Sequence, residues 1–283
     1  VMQLLDGKAL AQSLLPHLKA QVAMLPHQPT LAIITNAHDP AARLYLRSKQ
    51  RMAAQIGVKI INVPLATTLS QAAALTQLKK LNNDDTINGI MIQLPLDEHF
   101  DQNELINALD PRKDVDGCHP INLGKIWMNQ PHWVPATALG VMHLLTHYHI
   151  PLAGQHAVVV GRSNIVGRPL AGLLLNANAT VSIVHRRTAN LAALTRQADI
   201  LCVAAGLPHL ITADMVKKQA TVIDIGMNYN ERQQLVGDVV FNDVSRQAAY
   251  LTPVPGGVGP MTVVSLMQQV IQAAKEKNCV TNR

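Results

Sequence analysis

A tyrosine and a lysine lie four residues apart in a segment with helical spacing. Asp39 followed by Pro40 is typical of a helix start, and the spacing of Tyr45 and Lys49 places both on one helix face. A lysine acts as a general base only where burial and neighbouring charges lower its pKa toward neutrality. Tyr45 and Lys49 are therefore a candidate proton-handling pair, and the alternative is two exposed helix residues.

The same Tyr-x-x-x-Lys spacing occurs in short-chain dehydrogenases, where the pair follows the nucleotide-binding glycines. Here the order is reversed, because Lys49 comes long before the glycine-bearing turn at Gly161. This order argues against a short-chain dehydrogenase.

Two further polar residues are candidates for the same site. The strand-like run that starts at Gly89 ends at Gln93, and ligands of open α/β sheets bind at the carboxyl ends of strands. Asp116 precedes Gly117, which permits a tight turn, and its carboxylate could hold a guanidine-like ring edge through paired hydrogen bonds. A turn or cap role is the alternative for each residue.

A glycine-bearing turn follows the apolar strand 157–160. Gly161, Ser163 and Gly167 stand between this strand and a predicted helix, where backbone N–H groups can approach a pyrophosphate at the positive helix end. The spacing departs from the usual dinucleotide fingerprint, so an ordinary strand-to-helix turn is the alternative.

Cations follow the next strand, 180–184. An NAD-binding domain places an acidic residue there, whereas this chain has His185, Arg186 and Arg187. Guanidinium groups suit a 2′-phosphate, and Arg162 could reach the same phosphate, so the pattern favours NADP over NAD. A solvated basic turn is the alternative.

An alternation of strands and helices would position these residues, and short apolar runs typical of strands do alternate with stretches of helical spacing along the chain. The length of 283 residues indicates two domains of α/β class, with parallel βαβ units and helices on both faces of each sheet. The predicted strands are 31–35, 59–63, 89–93, 156–160, 180–184, 200–204 and 220–225, and the predicted helices include 41–55, 71–81 and 169–176. The stretch 110–135 is predicted to be an inter-domain crossing. A helix is predicted to begin with Thr137 as its cap, and a last helix after the Pro-Gly-rich run 253–260.

Composition excludes several classes of protein. The net charge is +6, but the cations are spread along the chain without a basic tail, which does not favour nucleic-acid binding. No apolar run is long enough to span a bilayer, and no secretory leader is recognised at the N-terminus. Cys118, Cys202 and Cys279 lack paired spacing, so the sequence predicts neither a metal cluster nor disulfides and favours a reducing cytoplasm.

Taken together, these motifs resemble the bifunctional methylenetetrahydrofolate dehydrogenase/cyclohydrolase family. The similarity runs nearly end to end and rests on nine segments: 6–8, 45–49, 93–96, 113–117, 161–163, 166–169, 224–226, 237–239 and the Pro-Gly loop at 252–262. It implies a folate-binding catalytic domain of residues 1–134 and 262–283, a Rossmann-like NADP domain of residues 135–261, and an active-site cleft between them. It also implies a homodimer that associates through the nucleotide domains.

The resemblance also assigns roles to residues. Lys49 becomes the general acid/base, Gln93 holds it and tunes its charge, Tyr45 stacks on the folate, and Asp116 anchors the pterin edge. Other predicted folate contacts are Leu94, Pro95, Pro255, Gly256 and Gly257. The predicted cofactor contacts are Gly161, Arg162, Ser163, Val166, Gly167, His185, Arg186, Arg187 and Ile225. The implied substrates are tetrahydrofolate derivatives, including polyglutamylated forms.

Two other functions stay open at this point. One is an NAD(P)-dependent dehydrogenase that lacks cyclohydrolase activity. The other is a basic, non-catalytic binding protein, which predicts steeply salt-dependent nucleic-acid binding and no turnover of NADP.

Overall fold

The computed structural model describes residues 2–281, without the side chains of residues 40, 41 and 278–281, so the side chain of Cys279 lies outside the described part. The predicted alternation of strands and helices is confirmed. The strands are β1 (Gln3–Leu4), β2 (Thr30–Asn36), β3 (Lys59–Leu65), β4 (Gly89–Ile92), β5 (His156–Val160), β6 (Thr180–Val184), β7 (Ile200–Val203), β8 (Thr221–Asp224), β9 (Asn228–Tyr229), β10 (Leu235–Val236) and β11 (Tyr250–Leu251). The helices are α1 (Gly7–Ala23), α2 (Pro40–Ile56), α3 (Gln71–Asn83), α4 (Gln102–Ala108), α5 (Pro120–Trp127), α6 (Ala136–His147), α7 (Gly167–Asn176), α8 (Leu191–Thr195), α9 (Phe241–Val244) and α10 (Val258–Thr281).

The chain divides into two compact units. One contains the N-terminal segment to Gln12, Lys125–Gln130 and Pro135–Thr262, and the other contains Ser13–Gly124, Pro131–Val134 and the C-terminal segment from Val263. The first residues therefore belong to the same compact unit as the later part of the chain. The physical reason is β1, whose two residues pair in parallel with β11.

The unit that contains Lys49 is built on a three-stranded parallel sheet in the order β3-β2-β4. Its central strand, β2, is buried along nearly its whole length, as the continuous apolar run of a parallel strand requires. An isolated parallel bridge joins Ile90 of β4 to Asp114, which extends this edge of the sheet into the segment that leads to Asp116.

The unit that contains Gly161 is built on a six-stranded parallel sheet in the order β1-β11-β8-β7-β5-β6. Most side chains of its central strands are buried Val, Ile, Leu and Ala, so aliphatic packing forms the core. Because the strands are parallel, the segments after β5, β6, β7 and β8 emerge at the same edge of the sheet. A small antiparallel hairpin, β9 and β10, follows β8.

The chain passes between the two units within the stretch 110–135, as predicted, and this stretch also contains helix α5, which the scarcity of periodic apolar residues had concealed. One local prediction was wrong. Helix α6 begins at Ala136 after Pro135 and has no side-chain cap, so Thr137 is not the cap residue. The hydroxyl of Thr137 instead accepts a hydrogen bond from Thr262 over 3.3 Å.

Within residues 2–281, no helix is long and apolar enough to cross a bilayer. Across the same described residues, no three His, Cys, Asp or Glu side chains are grouped so that they could hold a metal ion.

Candidate active site

Lys49 and Gln93 form the centre of the site in the smaller-sheet unit. Lys49 is on α2 and Gln93 directly follows β4, whose pairing with β2 is extended by a hydrogen bond from the Gln93 backbone to Ile34. Nζ of Lys49 donates to Oε1 of Gln93 over 3.1 Å, and Nε2 of Gln93 donates to the Ala42 carbonyl over 2.9 Å. Both side chains are buried. The Gln93 amide is held by the Ala42 carbonyl, and it in turn holds the amine of Lys49 in place.

The charge of Lys49 is set by burial and by Asp116. Burial lowers the pKa of Lys49 below its usual value, and the negative charge of Asp116 partly opposes that shift. Half-buried Tyr45 lies one helical turn before Lys49 on the same face of α2. The structure thus brings Lys49 into contact with Gln93 and within electrostatic range of Asp116. The fourth predicted catalytic residue, Tyr45, lies on the same helix as Lys49.

Asp116 is held by the segment that precedes it. Ile90 of β4 donates its N–H to the Lys113 carbonyl over 2.7 Å, and the side chain of Gln269 donates to the Val115 carbonyl over 2.6 Å. Gly117 takes a φ of 65°, the left-handed value that the predicted tight turn requires.

Asp114 is a residue of this site that sequence reasoning missed. Its buried carboxylate accepts hydrogen bonds from the backbone of Cys118 at 3.2 Å and of His119 at 2.8 Å, and from Nδ2 of Asn122 at 2.8 Å. Burial raises the pKa of Asp114 to about 7, and these donors oppose the rise. Asp114 closes the turn that presents Asp116. The signal in the sequence that could have identified it is its position as another aspartate, two residues before Asp116.

Leu94 and Pro95, predicted to contact folate, follow Gln93 and are joined by a cis peptide bond. The loop after them is anchored by His99, whose ring nitrogens contact Oδ1 of Asp97 at 2.7 Å and the Leu69 carbonyl at 3.0 Å. These contacts fix the main chain after Gln93, and the hydrogen bond from the Gln93 backbone to Ile34 fixes it at Gln93 itself.

The glycine turn in the larger-sheet unit has little room for side chains. Gly161 has a φ of 123°, and a Cβ built there would lie 2.2 Å from the Ala204 carbonyl oxygen. A Cβ on Gly167 would lie 2.1 Å from the Gly161 carbonyl oxygen. Both positions therefore require glycine, as expected where backbone must approach a phosphate closely.

The N-terminus of α7 presents backbone donors from this turn. Oγ of Ser163 accepts from the N–H groups of Val166 at 3.1 Å and of Gly167, the first residue of α7, at 3.4 Å. Within the described residues, the N–H groups of residues 162–165 donate to no protein acceptor. Free donors beside a helix N-terminus suit an anionic phosphate, so the turn fits the pyrophosphate of a dinucleotide.

The other predicted cofactor residues follow neighbouring strands at the same sheet edge. After β6, His185 forms a turn in which its N–H donates to Oγ1 of Thr188 over 2.9 Å, and Arg186 and Arg187 are exposed. Arg162 is exposed after β5, and half-buried Ile225 follows β8, where its N–H donates to the Val203 carbonyl over 2.8 Å. Exposed guanidinium groups at this edge suit a 2′-phosphate.

The Pro-Gly loop packs closely on the start of α1. Pro255 is exposed and follows a cis peptide bond, and Gly256 takes a φ of 106°. The Gly256 carbonyl accepts from the Lys8 N–H over 2.8 Å, and a Cβ on Gly7 would lie 1.8 Å from the Gly257 carbonyl oxygen. The rigid loop predicted from sequence is thus held against Gly7.

Comparison with known proteins agrees with both halves of this description. Residues 5–116 match the family model of the tetrahydrofolate dehydrogenase/cyclohydrolase catalytic domain, and residues 135–278 match that of its NAD(P)-binding domain. The chain is 47% identical over 276 residues to the bifunctional protein FolD of Streptococcus agalactiae, covering 96% of this chain and 97% of that protein.

Solved structures give the same result. The FolD methylenetetrahydrofolate dehydrogenase/cyclohydrolase of Campylobacter jejuni superposes with a TM-score of 0.95 at 43% identity, over 98% of this chain and 99% of that one. The Trypanosoma brucei enzyme, complexed with NADP and an inhibitor, has a TM-score of 0.92 at 34% identity, over 97% and 98% of the two chains. The chain belongs to the tetrahydrofolate dehydrogenase/cyclohydrolase family.

Proposed function

We propose that this protein oxidises 5,10-methylenetetrahydrofolate to 5,10-methenyltetrahydrofolate with NADP and then hydrolyses the product to 10-formyltetrahydrofolate. The observation that carries the proposal is the buried Lys49, which serves the hydrolase step: its pKa is lowered by burial and its amine is bonded to Gln93. A lowered pKa favours the neutral amine, which is the form that accepts a proton. Family membership supplies the identity of the substrate and the cofactor.

The dehydrogenase step mainly needs positioning. NADP, when bound, supplies the acceptor of the hydride that leaves the methylene carbon as N5 donates its electron pair. Asp116 binds the pterin edge through its carboxylate and Tyr45 lines the ring, together with Leu94 and Pro95. No proton has to move between the protein and the substrate in this step, so a fixed substrate is the main requirement.

The hydrolase step needs a base. Water adds to the cationic methenyl carbon and loses one proton; the hydroxyl of this adduct then loses its proton as N5 gains one, and the C–N5 bond breaks to leave the formyl group on N10. Neutral Lys49 accepts the proton from the attacking water, and Gln93 holds the amine in place. Burial keeps a fraction of Lys49 neutral, which an exposed lysine would not provide.

Residues of the glycine turn and its neighbours bind the cofactor. The donors of Arg162 and Ser163, beside Gly161, Val166 and Gly167, receive the pyrophosphate. The basic turn after β6 receives the 2′-phosphate through Arg186 and Arg187, with His185 and Ile225 completing the contacts. The exposed guanidinium groups support NADP over NAD, because no carboxylate stands there to bind ribose hydroxyls.

The proposal extends to organisation and location. Residues 1–134 and 262–283 act as the folate-binding part, with Pro255, Gly256 and Gly257 as further folate contacts, and residues 135–261 act as the NADP-binding part. The protein works in the cytoplasm as a homodimer that takes polyglutamylated folates and binds no nucleic acid. The free thiols of Cys118 and Cys202 support the proposed compartment alone, because thiols stay reduced in the cytoplasm.

The test is an absorbance assay of the purified protein with methylenetetrahydrofolate and NADP, read at the NADPH band and, after acid, at the methenyl band. We expect NADPH to form with little residual methenyl product. Accumulating methenyl product would reduce the function to a dehydrogenase alone. Absence of NADPH with folded protein would refute the proposal and favour a non-catalytic binding protein.

A further inference from the structure

Two buried aspartates in the larger-sheet unit have no role in the site described above. Asp224 is the last residue of β8, and Asp238 follows β10; their side chains are 4% and 0% exposed. The Asp224 carboxylate accepts from the backbone N–H groups of Asp238 and Val239 at 3.0 Å each. The two segments are thus joined through the first of these carboxylates.

Each aspartate also fills the space beside a glycine of the other segment. A Cβ on Gly226 would lie 2.3 Å from Cγ of Asp238, and a Cβ on Gly237 would lie 1.8 Å from Oδ2 of Asp224. This reciprocal packing explains the two motifs at 224–226 and 237–239, which the sequence singled out without a role.

The Asp238 carboxylate is an anion held in a nest of backbone donors. It accepts from three successive N–H groups, of Ala205 at 2.6 Å, Gly206 at 3.0 Å and Leu207 at 3.0 Å. Nδ2 of Asn228 is a fourth donor, at 2.8 Å. Successive N–H groups that converge in this way favour a full negative charge.

The loop fixed by Asp238 forms a wall of the glycine turn. Its first residue, Ala204, donates its N–H to the Val160 carbonyl over 2.7 Å. The carbonyl of Ala204 occupies the space beside Gly161, where a Cβ would come within 2.2 Å of it. Asn228 is the first residue of β9 and directly follows the loop after β8, which contains Ile225. One carboxylate therefore ties the loops after β7 and β8 together at the predicted cofactor edge.

We infer that Asp238 is a positioning residue for the nicotinamide dinucleotide. It does not contact the cofactor; it fixes residues 204–207 beside the pyrophosphate turn and anchors the loop that carries Ile225. The inference rests on the proposed function, since it assigns these loops to NADP binding. Hydrolysis of methenyltetrahydrofolate requires no NADP, so that activity serves as an internal control for folding and for the folate site.

The first test is Asp238→Asn. An amide group in this nest would direct its own N–H toward backbone donors, so at least one of these part-buried N–H groups loses its acceptor. We expect calorimetry to show NADP binding weakened by about tenfold or more, and the KM for NADP to rise in parallel. Cyclohydrolase activity, measured without NADP, should remain at the wild-type value. Asp243→Asn, which changes an exposed carboxylate on α9, is the matched control and should leave both measurements unchanged.

Asn228→Asp tests the same contact with less risk to folding, because it changes a half-buried residue. It replaces a donor to Asp238 by a like charge, and NADP binding should again weaken while cyclohydrolase activity persists. If Asp238→Asn does not fold, this variant decides. Wild-type NADP affinity in the folded variants would overturn the inference, and so would equal loss of both activities. A wild-type protein that itself fails to bind NADP would instead refute the proposed function.

Discussion

Nζ of Lys49 donates to Oε1 of Gln93 over 3.1 Å, and the same amide donates from Nε2 to the Ala42 carbonyl on the helix that carries Lys49. The amide orientation is therefore fixed by two partners of opposite kind, an amine and a carbonyl. Gln93 joins the end of β4 to α2 and keeps the lysine amine at one position. A base at a fixed position is what hydrolysis of a bound cation requires.

Lys49→Met should separate the two activities. Methionine fills most of the buried space but cannot accept a proton, so the cyclohydrolase rate should fall by about 10²–10⁴-fold. Dehydrogenase activity should persist in part, because that step needs positioning more than proton transfer. Both rates can be followed in one absorbance assay. Equal loss of both would show that Lys49 mainly supports folding or substrate binding.

Asp116→Asn should shift the pH profile of the hydrolase. The negative charge of Asp116 raises the pKa of Lys49, against the larger effect of burial. Removing that charge lowers the pKa further, so the neutral amine is present at lower pH. The ascending limb of cyclohydrolase kcat against pH should therefore move to lower pH, while the KM for the folate substrate rises. A limb that stays in place would contradict an electrostatic role for Asp116.

Arg186→Ser should reduce the preference for NADP. Loss of a guanidinium removes a charge-assisted contact to the 2′-phosphate, and kcat/KM with NADP should fall by about tenfold or more. The value with NAD should hardly change, because NAD lacks that phosphate. Arg232→Ser, at another exposed arginine, is the control. An unchanged ratio of the two kcat/KM values would place the 2′-phosphate elsewhere.

Gly161→Ala should impair NADP binding. The new Cβ would lie 2.2 Å from the Ala204 carbonyl oxygen, at a φ of 123° that alanine rarely adopts. Titration calorimetry should show weaker NADP binding, whereas Gly124→Ala should bind normally, because no atom lies within 4 Å of its added Cβ. Normal binding by Gly161→Ala would mean that the turn can relax without affecting the cofactor.

Asp114→Asn should change how stability depends on pH. The folded pKa of Asp114 is about 7, above the ordinary value of 3.8, so the stability linked to its protonation is fully present below pH 3.8. That stability is lost as the pH rises through about 7, and a neutral asparagine does not lose it. The free energy of unfolding of the variant, relative to the wild type, should therefore increase between pH 5 and pH 8. A difference of one unit between the folded and unfolded pKa corresponds to about 1.4 kcal/mol of stability. Urea unfolding of both proteins at the two pH values measures this, and a constant difference would contradict the assignment.

The main strands could be predicted from sequence because parallel strands are buried on both faces. In the strand His156–Val160, for example, which was predicted with those bounds, the four residues after His156 are apolar and buried. Strands β1 and β11 were missed because each has only two residues, and a pattern of period two cannot be recognised over that length. Their pairing is what moves the N-terminus into the larger-sheet unit.

Site residues could be predicted from sequence where the type of residue determines its chemistry, but not where its place in the fold determines its role. Lys49 and Gln93 were identified and lie together, but the sequence alone does not distinguish the roles of Asp114 and Asp116. Residues two apart in an extended segment point to the same face, so the spacing of Asp114 and Asp116 does not separate them; only the turn that the fold forms between them decides which one is buried. Asp224 and Asp238 were hidden for a related reason, since their partners are backbone N–H groups that any sequence carries.

The reciprocal packing of Asp224 on Gly237 and of Asp238 on Gly226 has a consequence for mutational history. A side chain added at either glycine enters the space of a carboxylate, and a shortened aspartate leaves buried N–H groups without acceptors. A larger residue at one position combined with a smaller one opposite removes this overlap but not the loss of acceptors, so the two changes together should cost less than the sum of the single changes. The four positions therefore form one epistatic unit, and changes that persist among descendants of this chain should arrive in pairs.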